Sequence, residues 1–178
     1  MNDPEASVRC LLLPSNEIAL LVPSAAVAEV TAYGPPEPIP DVPDWLLGRV
    51  AWREQSIPLV SFATLLDPRS TVSLSPGKMV VLYGLQQPSK RSFFGLQVTG
   101  TPRPLAATQA SLHTVQSWVD ATAIVWVRVQ MDAVEAVVAD LAALEALLSR
   151  HLPISEATDA LHRLPPLTAP SRGAIDGG

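Results

Sequence analysis

A single cysteine, Cys10, leaves this 178-residue chain unable to close an internal disulfide. The three histidines, His113, His151 and His162, stand at no metal-ligand spacing, and no cysteine pair joins them. Charged residues are only 16% of the chain and the formal net charge is −5, so the concentrated Lys and Arg of a phosphate-backbone binder are missing. Aromatic residues are scarce as well. No apolar run approaches the roughly 18 residues that cross a bilayer. The best candidates, Ile18 to Val22 and Ala123 to Val127, stop at Pro23 and Arg128. The first residues, MNDPEAS, lack the basic-then-apolar layout of a signal peptide. These absences together read as a soluble cytoplasmic protein with no nucleic-acid partner and no direct membrane insertion.

Hydrophobic residues nevertheless make up 48% of the chain, enough for a sizeable core in one domain or two small subdomains. They fall in short runs bounded by turn residues. Val8 to Leu13, the cluster Pro14-Ser15-Asn16, and Glu17 to Val22 read as a hairpin, with Cys10 a buried strand thiol. A short helical turn over Pro23 to Ala26 leads into a strand at Val27 to Ala32. Tyr33 to Asp44 contains five prolines and must cross the molecule extended. Further strands are expected over Gly48 to Trp52, Ser56 to Phe62, Lys78 to Leu85 and Ser92 to Thr99. In the last of these Phe94, Leu96 and Val98 alternate with Gly95, Gln97 and Thr99. Ile124 to Gln130 and Ala133 to Ala139 form a final pair turning at Met131-Asp132. About nine or ten short strands at this spacing mean a barrel or sandwich. One helix is expected. Asp140 caps it, Leu141, Leu144 and Leu148 share a face, and Arg150 and His151 close it before Pro153. Residues 152–178, rich in Pro, Ala, Ser and Gly, read as a flexible tail.

A search for chemistry returns almost nothing. Ser75-Pro76-Gly77-Lys78 matches S-x-x-K by letter, but Pro76-Gly77 makes a turn where that motif needs a helix. Phosphate-cradling glycine loops and a G-x-S-x-G elbow are absent. Asp41 and Asp44 lie in the proline crossing, and Lys90-Arg91 is too small a basic spot for nucleic acid. No catalytic, metal or cofactor-binding residue is assigned, and an enzyme is not expected. What remains is a β scaffold carrying exposed groups. In GRVAWREQSIPLVSF, residues 48 to 62, Val50 and Trp52 pointing to a core would put Arg49, Ala51 and Arg53 on the other face. Arg53 at the strand end could reach a partner carboxylate. It could instead snorkel over the surface, and pattern alone leans that way.

The order of these motifs resembles the CheW family, the adaptors that couple chemoreceptors to a histidine kinase. Gly48, Val50, Arg53, Pro58 and Val60 fall on that family's central pattern, G-x-I-N-L-R-G-x-x-x-P-V-I-D-L, with Phe62 at its last apolar position. Upstream, Val27-Ala28-Glu29-Val30 fits its V-x-E-I, and FGLQVTGTPRPL from Phe94 to Leu105 is similar to its G-I-V-V-D segment. Ala51 and Trp52 replace Asn-Leu, Glu54 replaces Gly, and Ser61 and Thr99 replace aspartates. A turn without Gly at 54 is expected to differ in type. The phrases AEVTAYGPPEP, PDWLLGRVAW and VADLAALEALL are most similar to the ChpC-type adaptors of type IV pilus chemosensory systems.

The resemblance implies an all-β domain over residues 7–151, two interleaved five-stranded SH3-like barrel subdomains with a short C-terminal α-helix. It implies a non-enzymatic adaptor without cofactor, binding a CheA-type histidine kinase regulatory domain and the cytoplasmic tip of a methyl-accepting chemoreceptor. Recruitment to membrane-associated receptor arrays would follow. The rival within the family is a divergent regulator that holds one partner only. Arg53 and Glu29 are the expected charged contacts. Val27, Val98 and Thr99 are expected at the rim, with simple core packing standing beside contact for the two valines. Pro58, lacking an N–H, implies an edge or bulge position.

Overall fold

Strand β1 (Ser7–Ser15) and β2 (Ile18–Pro23) form the expected hairpin, with Leu12 opposite Leu21 and Leu13 opposite Leu20. The structure is a computed structural model and describes residues 6–16, 18–70, 77–85, 92–116, 124–131 and 134–152. Pro14 and Ser15 still pair across the hairpin, so the reversal falls later than expected, with Asn16 at φ 52°. Asparagine tolerates that left-handed conformation better than most residues. A single 3-10 turn, Ser24–Ala26, feeds β3 (Val27–Ala32). The proline crossing then runs without regular structure except for one bridge, Glu37 to Arg49.

Next come β4 (Leu46–Trp52), β5 (Gln55–Val60), α1 (Phe62–Leu66), β6 (Lys78–Tyr83) and β7 (Phe93–Val98). The chain continues through β8 (Arg103–Thr108), β9 (His113–Gln116), β10 (Val125–Met131), β11 (Val134–Ala139) and α2 (Leu141–His151). Five strands join in the order β3-β6-β7-β5-β4, and six in the order β8-β1-β2-β11-β10-β9. The two sheets interleave, since β3 to β7 are inserted in the chain between β2 and β8 of the larger one. This is the expected all-β pair of subdomains with a closing helix, β9 extending one sheet to six strands.

Three local readings change. Phe62 does not end β5 but opens α1, because the Ser61 hydroxyl accepts from the Thr64 N–H and caps a turn of helix there. Strand β8 is new to the structure. Its proline argues against a strand by composition, but β8 is an edge, where Pro104 opposite Leu11 can be tolerated. Strand β9, only four residues long and irregularly paired to β10, carries no clear alternation. The expected tail beyond Leu152 lies outside the described residues.

Each sheet has two working faces. Leu13, Leu20, Val22 and Val137 of one sheet meet Val80, Leu82, Phe94 and Leu96 of the other in a shared core, sealed by Leu141, Leu144 and Leu148 of α2. Cys10, Leu12, Leu21, Val129 and Met131 fill the six-stranded side, while Val50, Trp52, Ile57, Leu59, Met79 and Val81 fill the five-stranded side. Strand β7 is therefore buried on both faces. Its alternation remains, with Leu96 opposite Val80 and Gly95 opposite Val81.

Register explains Pro58. Trp52 and Gln55 close the two-residue loop, so in the antiparallel ladder Arg49 and Pro58 form a pair that exchanges no backbone hydrogen bonds. Arg49 instead donates its N–H to Glu37 (2.9 Å) and accepts from the Glu37 N–H (2.7 Å) on the outer side. On the other side of β5, pairing with β7 is recorded only at Leu59 and Val60. Strand β5 as a whole is interior rather than an edge, yet Pro58 is asked for no donor by β4. The Glu37 carbonyl lies so close to Gly48 (φ 137°) that any Cβ there would overlap it.

Candidate docking site

The two-residue loop Arg53–Glu54 places the site. With no glycine at 54, the left-handed conformation falls on Arg53 itself (φ 53°). For an L-residue with a Cβ that costs about 1 kcal/mol or more. Contacts made by the guanidinium offset it. Arg53 Nη2 donates to Glu29 Oε2 at 2.9 Å and Nε donates to the same oxygen at 3.3 Å. Its Cζ lies 4.5 Å from the centroid of the Trp52 ring, a cation–π contact.

Glu29 arrives from β3 just after a bulge. Val27 pairs with Leu82 and Glu29 with Val81, so Ala28 is the extra residue that re-aims the strand. A third donor, Trp52 Nε1, reaches Glu29 Oε2 at 3.1 Å. Trp52 is thus core by burial, as expected, while its indole N–H orients the surface carboxylate. The partner carboxylate anticipated for Arg53 is supplied first by this chain. The pair remains accessible, with side chains 65% and 37% exposed.

Behind it lies an aromatic row that sequence reasoning missed. The Trp52 and Phe93 rings are 4.8 Å apart, and Phe93 and Tyr83 are 5.5 Å apart and directly paired across β6 and β7. Tyr83 and Leu85 are both exposed. The only signal is the doublet Phe93-Phe94, which must send one ring to each face of a strand. Which ring belongs with Trp52 depends on register.

Among the five expected contact residues, Arg53, Glu29 and Val27 gather at this end of the five-stranded sheet. Val27 is half-buried against the shared core. Val98 and Thr99 sit at the far end of β7, about 17 and 20 Å from Phe93 at ~3.3 Å per residue. Val98 is buried within the shared core. Thr99 accepts from the Asn16 N–H (3.2 Å) and donates its own N–H to the Pro14 carbonyl (2.9 Å), tying β7 to the β1–β2 turn.

The geometry holds no arrangement for bond chemistry among the described residues. No group of three or more His, Cys, Asp or Glu side chains is placed to hold a metal ion there. Burial pushes the Cys10 thiol above its ordinary value, which disfavours a nucleophilic thiolate. His151 contacts Trp45 edge-on, with ring centroids 5.5 Å apart, at the C-terminal end of α2. No helix of the described residues is long and apolar enough to cross a membrane.

Interleaved β subdomains on a shared core, with an exposed ion pair seated on aromatic rings, define a protein-interaction module. The chain belongs to the CheW-like domain family, which it matches over residues 9–142. It is accordingly a non-enzymatic, CheW-like scaffold of chemotaxis signalling. Its fold is similar to that of the scaffolding protein TtCheW from Thermoanaerobacter tengcongensis, with a TM-score of 0.61 at 16% sequence identity. That similarity covers 76% of this chain and 90% of TtCheW. Among curated proteins no sequence match is found.

Proposed function

We propose that residues 7–151 act as an adaptor that couples the cytoplasmic tip of a methyl-accepting chemoreceptor to the regulatory domain of a CheA-type histidine kinase. The pathway is one that controls type IV pili and twitching motility. The protein works in the cytoplasm at membrane-associated receptor arrays. The observation that carries this reading is the exposed Arg53–Glu29 pair, held on a left-handed hairpin residue and braced by Trp52. Strain maintained at an exposed turn is more easily understood at a contact surface than at a neutral loop. Val27 flanks that surface, and Thr99 offers a separate polar rim. The pilus assignment is supported by the phrases most similar to ChpC-type adaptors.

The test is binding of variants to receptor-tip and kinase regulatory-domain fragments, alongside thermal melts. Arg53→Ala retains the same backbone conformation but loses the guanidinium, and should weaken binding about thirtyfold, roughly 2 kcal/mol. Folding should change little, because an ion pair this exposed contributes at most about 1 kcal/mol. A well-folded Arg53→Glu protein that binds both fragments normally would end the docking assignment. One observation favours the rival, a regulator holding one partner only. Thr99, standing where the family pattern has an aspartate, is engaged within the chain and presents no charge. Retained binding to one fragment and none to the other selects that rival.

A further inference from the structure

Trp126 belongs to the six-stranded sheet, whereas Arg53 ends a strand of the other, and it is the most exposed large apolar side chain among the described residues, at 64%. A lone exposed apolar side chain means little by itself. This one is held from two directions. Between β10 and β11 the pairing passes from Val125 opposite Ala139 to Val127 opposite Val138, so Trp126 is the extra residue of a bulge. Its Nε1 donates to Asp140 Oδ2 at 2.9 Å, while Asp140 Oδ1 accepts the Ala143 N–H at the start of α2. The helix cap fixes the carboxylate, and the carboxylate fixes the indole. Among the described residues no Lys or Arg pairs with Asp140. Arg128, two residues along β10, is engaged by Glu135 at 2.7 Å. Building on the adaptor reading, we propose that Trp126 and Asp140 form a second docking point, which takes the guanidinium of an Arg on a protein partner. The guanidinium stacks on the open face of the indole and directs one N–H to Asp140 Oδ2.

The chemistry selects a cation. The face of an indole is the negative part of its quadrupole, and of the aromatic side chains Trp attracts a cation best. The hydrogen bond sets the carboxylate at the ring edge, so a cation over the pyrrole ring stands roughly 5 Å from Oδ2, close enough to feel its charge. The N-terminus of α2 opposes this with about half a positive charge, but the full negative charge of Asp140 exceeds it. A partner carboxylate would meet both the ring face and Asp140 with the wrong sign. A purely apolar side chain would use the ring and strip water from the carboxylate without replacing it. An ammonium can sit over the ring, but the planar guanidinium both stacks and keeps an N–H for the carboxylate. One docking point on each sheet also suits a chain that couples two partners rather than holding a single one.

The experiment uses the full chain, with the receptor-tip and kinase regulatory-domain fragments as probes, in isothermal calorimetry at low and high salt. Trp126→Leu keeps an apolar side chain but loses the ring, and should weaken binding to one fragment about tenfold. Asp140→Asn keeps the helix cap and an acceptor for Trp126 while removing the charge. It should weaken the same binding about threefold to fivefold at low salt and less at high salt. Both variants should melt with the parent. Replacing each Arg of that fragment by Met in turn should reveal one whose loss is not additive with Trp126→Leu or with Asp140→Asn. Lys at that partner position should recover only part of the affinity, and full recovery overturns the guanidinium stack. Unchanged binding by Trp126→Leu, tighter binding by Asp140→Asn, or no coupled Arg overturns the proposal. If Arg53→Glu still loses binding in that case, the adaptor reading stands without it. A wild-type protein that binds neither fragment sinks the adaptor reading and this proposal together.

Discussion

Glu145 is a charged residue inside a helix and only 5% exposed, and removing it perturbs the molecule in a calculable way. Its carboxylate projects from the middle of α2 to the ends of the β6–β7 connection. There Glu145 Oε2 accepts the N–H of Leu85, and Oε1 accepts the Ser92 hydroxyl at 3.0 Å. Gly84 also donates its N–H to the Ser92 carbonyl, at 2.7 Å, so the two ends of the connection are closed on each other. Glu145→Ala deletes the shared acceptor and leaves two donors short of a partner in a partly buried place. Each such loss costs roughly 1–3 kcal/mol, so about 3 kcal/mol is expected for the pair after partial rehydration. For a chain of this size, ~3 kcal/mol lowers Tm by about 6–12 °C. Glu145→Gln retains one carbonyl acceptor but sets an NH2 against the other donor, and should fall between. The assay is calorimetric or dichroic melting of the three proteins. Near-ultraviolet dichroism follows in parallel, because Ser92 precedes Phe93 and Tyr83 precedes Gly84 in the aromatic row behind Arg53. A Glu145→Ala protein that melts within a degree or two of the parent would show that the carboxylate does not hold the connection.

Other expectations rest on single contacts. Cys10 should react slowly with a thiol reagent in the native state and rapidly in denaturant, since it is buried and its ionisation is pushed up by burial. Above pH about 9.0 the unfolded thiol ionises while the folded one stays protonated, so Cys10 erodes stability only as pH rises past that point. Gly48→Ala should destabilise by more than about 2 kcal/mol in denaturant melts, because φ 137° and the Glu37 carbonyl both exclude a Cβ. A near-neutral Gly48→Ala would mean that the proline crossing does not pack on β4. Asp140 accepts from the Ala143 N–H through Oδ1 and from Trp126 Nε1 through Oδ2, each at 2.9 Å. Asp140→Ala should cost about 1 kcal/mol by loss of the cap. Trp126→Ala, removing a side chain 64% exposed, should leave melting almost unchanged.

Local pattern determined much of this molecule. The hairpin at the start, the extended proline crossing, the β4–β5 turn and the cap and apolar face of α2 are all legible in the chain. Each depends on residues adjacent in sequence or one turn apart. Trp52 belongs to the core on alternation alone, and family resemblance singles out Arg53 and Glu29. Pairing between distant segments cannot be read this way. Pro104 makes β8 look unlike a strand until it is known to be an edge. Ser61-Phe62 looks like strand until the first turn of α1 is seen to be capped. Val98 and Thr99 are expected at a rim together with Val27, whereas β7 runs from Phe93 beside Tyr83 to Val98 beside Lys78 and leaves them at the other end of the sheet. Tertiary structure also decided what Arg53 touches. Its 24-residue separation from Glu29 is closed only by the β3–β6–β7–β5–β4 order and the bulge at Ala28. A strand's alternation says which face a side chain occupies, but only register and sheet order say what stands opposite.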